Sequence, residues 1–476
     1  MIRFRLICGT ALGAALLANS ALAQERKPEN LLPPEPAKVT EKLPDFTKKE
    51  MSAPAPRQDS VDAAFGDIRM QSGEVVQEVP KLVGEWSIAN AQKLLAFIPS
   101  VKAEGLRAAD YNADALKAAI AAGAGPALNE IASRTFVWLV EDLRDGRTPM
   151  DARKQWFVVD PDPDRNPTHK LLESALASGD IAGTLNGLNP VHPHYARLKA
   201  DLATTTDPAK RALIRANMDR WRWLGQDLGN KYLLTNVPEY QLRLTVNDKN
   251  IKTYRVVVGK PGRTATPQLA EMVEAVIFNP TWTVPQSIVK GEGLGAKVLG
   301  NPGWARANGY RGFKAENGFV TVVQQPGPNN SLGLMKLDMP NEHAIFLHDT
   351  PSRHLFAQDN RALSHGCIRV QGARELAITM SMLGNAKTKE DLKTIQAEVS
   401  TITASGEYTR YPMVNQWPVY ITYFTYGVDV NDQLTKFADI YGRDAPVLAA
   451  LDAPRQQNRA RKTSEEAVEI VDDLQT

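Results

Sequence analysis

Two parts of the chain carry residues suited to covalent chemistry: the run Ser364-His365-Gly366-Cys367-Ile368-Arg369, and His348 upstream of it. The sequence has two cysteines, Cys8 and Cys367. Cys8 falls in a segment that reads as an export signal, so the exported chain would keep one thiol. A single unpaired thiol in an oxidising compartment is open to oxidation and mispairing, and reactivity explains its presence better than structure does. Four of the seven histidines, His343, His348, His354 and His365, lie in this region. An imidazole beside a thiol favours the thiolate and can later hand the proton to a leaving amine. Gly366 permits close backbone approach, and amide N–H groups around Cys367 could face an oxyanion. A zinc hydrolase with His348, His365 and Cys367 as ligands is the competing chemistry. No His-Glu-x-x-His helix or cysteine pair accompanies those residues.

Placing these groups calls for a strand and a loop. Ala344 to Leu347 reads as a strand ending at His348, with Asp349-Thr350-Pro351 as a turn. From about 231 the apolar period is two: Leu242, Leu244 and Val246 alternate with Arg243 and Thr245. Asn247 to Asn250 predicts a turn and Ile251 to Val258 its partner strand. Further strands are expected at Ala275 to Phe278, Phe319 to Val323 and Val419 to Tyr426. Residues 286–318 are Gly-rich and irregular, as a lid would be. Before 229 the period is helical, with Leu128, Ile131, Thr135, Leu139 and Leu143 on one stripe and Gly146 and Pro149 as a stop. Asp207-Pro208 predicts a capped helix start, and Ile214, Met218, Trp221 and Leu224 continue its apolar face. Trp221 reads as core and Trp223 as packing at a domain junction.

The chain has 476 residues, 43% hydrophobic and 23% charged, enough for two or three domains. A net charge of +2 gives no argument for nucleic acid. Arg3 and Arg5, the apolar stretch Leu6 to Ala18 and Ala21-Leu22-Ala23 form a signal-peptide pattern. A periplasmic protein with no membrane span after cleavage is therefore expected. The expected divisions are a signal peptide at 1–23, a disordered Pro-rich tether at 24–75 and a helical scaffold domain at 76–228. A β-rich, β-sandwich-like domain follows at 229–430 with a capping insertion at 286–318, then a helical or disordered tail at 431–476. The fold class is α+β.

The span from His348 through Ser364-His365-Gly366-Cys367 resembles the signature of the L,D-transpeptidase (YkuD-like) catalytic domain. Asn217-Met218-Asp219-Arg220-Trp221-Arg222-Trp223, Val257-Val258-Gly259-Lys260-Pro261, Phe278-Asn279-Pro280-Thr281-Trp282 and Leu347-His348-Asp349-Thr350-Pro351 are similar to the larger YcbB-type members. Leu143-Arg144-Asp145-Gly146-Arg147 is similar as well. Many members carry Asn two residues after the cysteine, where this chain has Arg369. Residues 150–200 look too short and irregular for the small peptidoglycan-binding module that YcbB-type scaffolds often contain.

The resemblance implies roles. Cys367 would be the nucleophile and His348 the general base, with the backbone at Gly366 and Cys367, helped by His365, stabilising the oxyanion. Arg369 would position substrate, and Ser364 beside it would be a local hydrogen-bonder rather than a second nucleophile. Trp304 and Tyr310 are candidate peptide contacts, with packing of the lid as the more ordinary use of such side chains. The implied reaction is attack on the L-centre carbonyl of diaminopimelate in a peptidoglycan tetrapeptide stem, with release of D-alanine. The thioester passes to an amine of a second stem as a 3–3 crosslink. Water as acceptor gives carboxypeptidase trimming, and an outer-membrane protein amine gives anchoring. No cofactor or metal is needed, and acylation by carbapenems is implied. A non-catalytic wall-binding scaffold would be expected to lack the thiol or its base, and both are present.

Overall fold

The computed structural model describes residues 82–455 apart from 160, so the expected signal peptide and tether at 1–75 lie outside the described residues. Helices lead among the described residues, the longer ones being α1 (Ile88–Phe97), α2 (Ala113–Ala122), α3 (Pro126–Arg144), α4 (Thr168–Ser178), α5 (Ile181–Asn186), α6 (Pro193–Thr204) and α7 (Pro208–Trp221). The α3 stripe buries Leu128, Thr135, Leu139 and Leu143 in a core shared with α1, α2, α4 and α5. Asp207 caps α7 by accepting from the amides of Ala209 and Lys210, which would otherwise lack helical partners. Trp221 and Trp223 join a second core with α6, the strand that follows and a later hairpin. No helix among the described residues is long and apolar enough to cross a membrane.

Fourteen strands follow: β1 (Lys231–Asn236), β2 (Gln241–Val246), β3 (Lys249–Gly259), β4 (Leu269–Phe278), β5 (Trp282–Thr283), β6 (Tyr310–Lys314), β7 (Val320–Gln324), β8 (Met335–Asp338), β9 (Leu347–His348), β10 (Ala362–Ser364), β11 (Ile368–Val370), β12 (Thr409–Thr422), β13 (Tyr426–Val428) and β14 (Leu434–Lys436). The main sheet has the order β10-β3-β11-β9-β8-β4-β12-β1-β2. Because β2 also pairs with β3, the ladder closes on itself. Asn247 and Asp248 both have positive φ, the backbone of a two-residue hairpin turn, which explains why β3 begins earlier than Ile251.

The insertion is a small folded cap rather than an irregular loop. It contains β5, β6, β7 and two short helices, α8 (Leu294–Gly300) and α9 (Pro302–Ala307), around Val284, Val289, Val298, Ala305 and Val322. Its folded extent is wider than 286–318 because β5 and β7 pair across it. Helices α10 (Ala373–Asn385) and α11 (Lys389–Ser405) contribute Leu376, Met380, Ile395 and Val399 to the main core beneath the sheet.

The stretch expected to be a tail from 431 is, through Arg455, part of the fold. Helix α12 (Asp444–Asp452) places Val447 and Leu451, one turn apart, in the second core. Arg220 of α7 bonds Asp444 at 2.7 Å, and Arg455 bonds Asp142 of α3 at 3.0 Å.

Candidate active site

The site is built on two adjacent parallel strands. In the β9–β11 ladder Ile368 lies opposite Leu347 and Arg369 opposite His348. Leu347 and Ile368 are fully buried in the core. Side chains alternate across a sheet, so His348 and Arg369 share the other face. Cys367 enters β11 one residue before Ile368 and so belongs to the face of His348. On the far side of β9, Lys336 of β8 pairs with His348. Lys336, His348 and Arg369 therefore form one row across three strands.

His348 is buried, 5% exposed, and its Nδ1 lies 2.5 Å from the Asp349 carbonyl oxygen. A carbonyl only accepts, so Nδ1 carries the proton and Nε2 keeps its lone pair. Burial, then the Arg369 charge and more weakly Lys336, lower its pKa to about 3, against the bond to Asp349. The imidazole is neutral at ordinary pH.

The thiol is half-buried. Burial pushes the Cys367 pKa up, while the Phe346 backbone N–H, Lys336 and Arg369 pull the other way. Its Sγ contacts the Ala344 carbonyl oxygen at 3.5 Å. Ala344 has φ of 51°, an uncommon conformation for a residue with a Cβ. Asn341 holds it there: its Nδ2 donates to the carbonyls of Met339 and Ile345, its Oδ1 accepts from the Ile345 amide, and its carbonyl accepts from the Ala344 amide. This turn corrects the expected strand over Ala344 to Leu347, of which only Leu347 is in β9.

The cysteine loop is fastened from several sides. Gly366 has φ of 118°, and a Cβ there would lie 3.0 Å from Ile345 Cδ1. Thr266 Oγ1 donates to the Gly366 carbonyl at 2.7 Å and accepts from the Gly259 amide at 2.8 Å. Tyr441 donates to the Gly259 carbonyl at 2.6 Å and accepts from the Thr266 amide at 3.2 Å.

The other candidate residues make these contacts. Ser364 is buried and its hydroxyl is used within its own turn, donating to the Cys367 carbonyl at 2.6 Å and accepting from the Gly366 amide at 3.2 Å. It shapes the loop, as a local hydrogen-bonder does. The Gly366 N–H is thereby taken. His365 is exposed and lies 3.6 Å from Glu292 of the cap. Trp304 and Tyr310 stack on each other at 5.6 Å and pack within the cap's own core. Lys297 sits over Trp304 at 3.9 Å. These contacts pack the cap. Among the described residues, His348, His365 and Cys367 do not converge as a metal-ligand set.

Sequence reasoning missed Lys336, Asn341, Thr266 and Tyr441. The alternation of Met335 and Leu337 with Lys336 and Asp338 was a legible strand signal. Nothing in spacing marks the other three, which act through long-range or side-chain-to-backbone contacts.

Residues 230–391 match the L,D-transpeptidase catalytic domain of the YkuD family, and residues 85–202 match the Scaffold domain. The chain thus carries a YkuD-type L,D-transpeptidase catalytic domain joined to a helical scaffold, an arrangement consistent with the larger YcbB-type members. A curated Haemophilus influenzae protein bearing the name of an L,D-transpeptidase is 30% identical over 231 residues. The match covers 45% of each chain, so this chain spans about half the length of that relative. Among solved structures, an L,D-transpeptidase from Mycobacterium smegmatis aligns at 10% identity over 40% of this chain and 58% of its own, with a TM-score of 0.20. The Ldtfm-avibactam carbamoyl enzyme aligns at 12% identity over 42% of this chain and 51% of its own, with a TM-score of 0.21.

Proposed function

We propose that the protein is a periplasmic cysteine L,D-transpeptidase acting on peptidoglycan tetrapeptide stems. The observation that carries this reading is the placement of Cys367 and a neutral His348 on one face of adjacent parallel strands, within a segment that matches the catalytic domain.

At rest the pair is a thiol and a neutral imidazole. As Sγ attacks the L-centre carbonyl of diaminopimelate, its proton passes to Nε2 of His348. The Cys367 N–H faces the developing oxyanion. The tetrahedral intermediate collapses to a thioester, the C–N bond breaks, and His348 returns the proton to the departing D-alanine amine. An acceptor amine from a second stem then attacks the thioester, loses its proton to His348 and releases the thiol, leaving a 3–3 crosslink. Water in place of the amine yields a trimmed stem, and a protein amine yields an anchored protein. The acceptor is thus read from the product.

The test is acylation followed by intact mass. Meropenem should add one adduct to the wild type and none to Cys367→Ala; an adduct that persists in that variant moves the nucleophile elsewhere. With tetrapeptide-stem muropeptides, diaminopimelate–diaminopimelate dimers are the expected product.

A further inference from the structure

Lys336 and Arg369 flank His348 in the row across β8, β9 and β11, and neither has a carboxylate partner among the described residues. The acidic groups nearby are already engaged. Asp338, two residues along β8, bonds Arg410 at 2.7 Å. Asp349 accepts from the Leu334 amide and pairs with Arg353. Glu292 faces His365. Arg369 Nε is buried with no hydrogen-bond partner, a costly state for a guanidinium nitrogen. Lys336 Nζ lies 4.1 Å from the centroid of Phe346, whose ring is 5.6 Å from that of His348 and whose amide reaches Cys367. Both cations also act on the thiol.

We propose that Lys336 and Arg369 form a two-cation seat for a carboxylate of the donor peptide, held beside Cys367. The inference rests on Cys367 being the acylated residue and adds the charge class of the group recognised next to it. A guanidinium offers two parallel donors to a carboxylate, and an ammonium adds a point charge. The two cations work against protonation of His348, so an empty seat leaves a poor base. A bound carboxylate offsets that field, and the imidazole then gains basicity. Donor binding and the basicity of His348 are coupled in this way.

The test uses two alkylating reagents that differ in charge, anionic iodoacetate and neutral iodoacetamide, on the full chain. The ratio of their rates at Cys367 cancels any change in thiolate fraction. Lys336→Met should lower the iodoacetate-to-iodoacetamide ratio by at least about 3-fold, the effect of one nearby charge in a solvent-like environment. Lys336→Arg should restore it. A ratio equal to wild type in Lys336→Met overturns the proposal. On the unmutated protein, added salt should slow iodoacetate and spare iodoacetamide, and equal slowing or none would overturn it too. Tetrapeptide stems amidated at the terminal carboxyl or at the diaminopimelate carboxyl then assign the source, since only the stem lacking the seated group should acylate slowly. Should neither amidation slow acylation, the seat does not serve the donor. An anion preference at Cys367 with no acylation by any stem peptide would defeat the proposed function while leaving the seat standing.

Discussion

Arg369 stands opposite His348 in the parallel ladder of β9 and β11, so a fixed positive charge adjoins the imidazole proposed as acceptor of the thiol proton. The same charge favours the Cys367 thiolate. One residue therefore makes the nucleophile easier to ionise and the base harder to protonate.

Arg369→Gln should move the acid limb of the acylation rate to higher pH, by on the order of one unit. The sign follows from charge: removing a cation raises the pKa of the imidazole, so His348 becomes protonated, and unable to act as base, at a less acidic pH. The Cys367 pKa rises as well, and acylation at neutral pH should fall by about 10-fold. Stopped-flow acylation between pH 4 and 9 reads both. An acid limb that stays where it was would mean the two groups are not coupled.

Ser364→Ala removes a hydroxyl that bridges the Gly366 amide and the Cys367 carbonyl. A buried donor and acceptor lose their partner, at about 1–3 kcal/mol. The Gly366 N–H is freed, but the loop that aims the sulfur loosens, so the acylation rate should drop about 10-fold with donor affinity little changed. Ser364→Thr, which keeps the hydroxyl, should recover most of the rate. Loss of affinity equal to the loss of rate would instead place Ser364 against substrate.

Cys367 and His348 could be singled out because that depends on residue type and short spacing, whereas most of the strand expected before His348 is a turn. One ladder sets the residue after Cys367 opposite the residue before His348. The helical half was legible for the same reason, since Leu128, Leu139 and Leu143 recur at helical spacing and are buried together. Lys336 was not singled out because its importance arises from pairing with His348 across a ladder, a relation between β8 and β9 that local sequence does not encode. The cap was misread as irregular because β5 and β6 each pair only with β7, and the Gly-rich sequence between them hides that register. The segment after 431 was expected as a helical or disordered tail; it holds the helix α12, whose packing was not legible because its polar anchors lie far away in sequence.

Stability should fall steeply in acid. The folded chain holds His192 and His348 at about 3 and His194 at about 4, each chiefly through burial. In the unfolded chain the same groups titrate near 6.5. The unfolded state therefore binds more protons below that value, and the stability present above about pH 6.5 is lost as pH falls towards 3–4. Each group contributes a slope of about 1.4 kcal/mol per pH unit. Thermal melts from pH 7.5 to 4.5 should show this. His192→Gln, which retains a hydrogen-bonding group near Tyr232, should flatten the curve by roughly one group's share; an unchanged slope would show that His192 titrates normally in the fold.

Tyr441 connects the end of the described chain to the cysteine loop, and its hydroxyl is the link. It donates to the Gly259 carbonyl and accepts from the Thr266 amide, and Thr266 in turn donates to the Gly366 carbonyl. Arg443 reinforces the same point through the Thr266 carbonyl at 3.3 Å. Tyr441→Phe keeps the ring, which stacks on Tyr423 at 5.5 Å, and deletes only the hydroxyl. Two bonds are lost, which costs about 1–3 kcal/mol in stability. If the loop transmits that loosening, the acylation rate should fall about 3- to 10-fold at temperatures well below the melt, with binding of the donor unaffected. A rate that tracks the folded fraction alone would show that Tyr441 stabilises the domain without positioning Cys367. Thr266→Val separates the two, because it breaks the bonds to Gly366 and Gly259 while leaving Tyr441 in place, and it should reproduce the loss of rate.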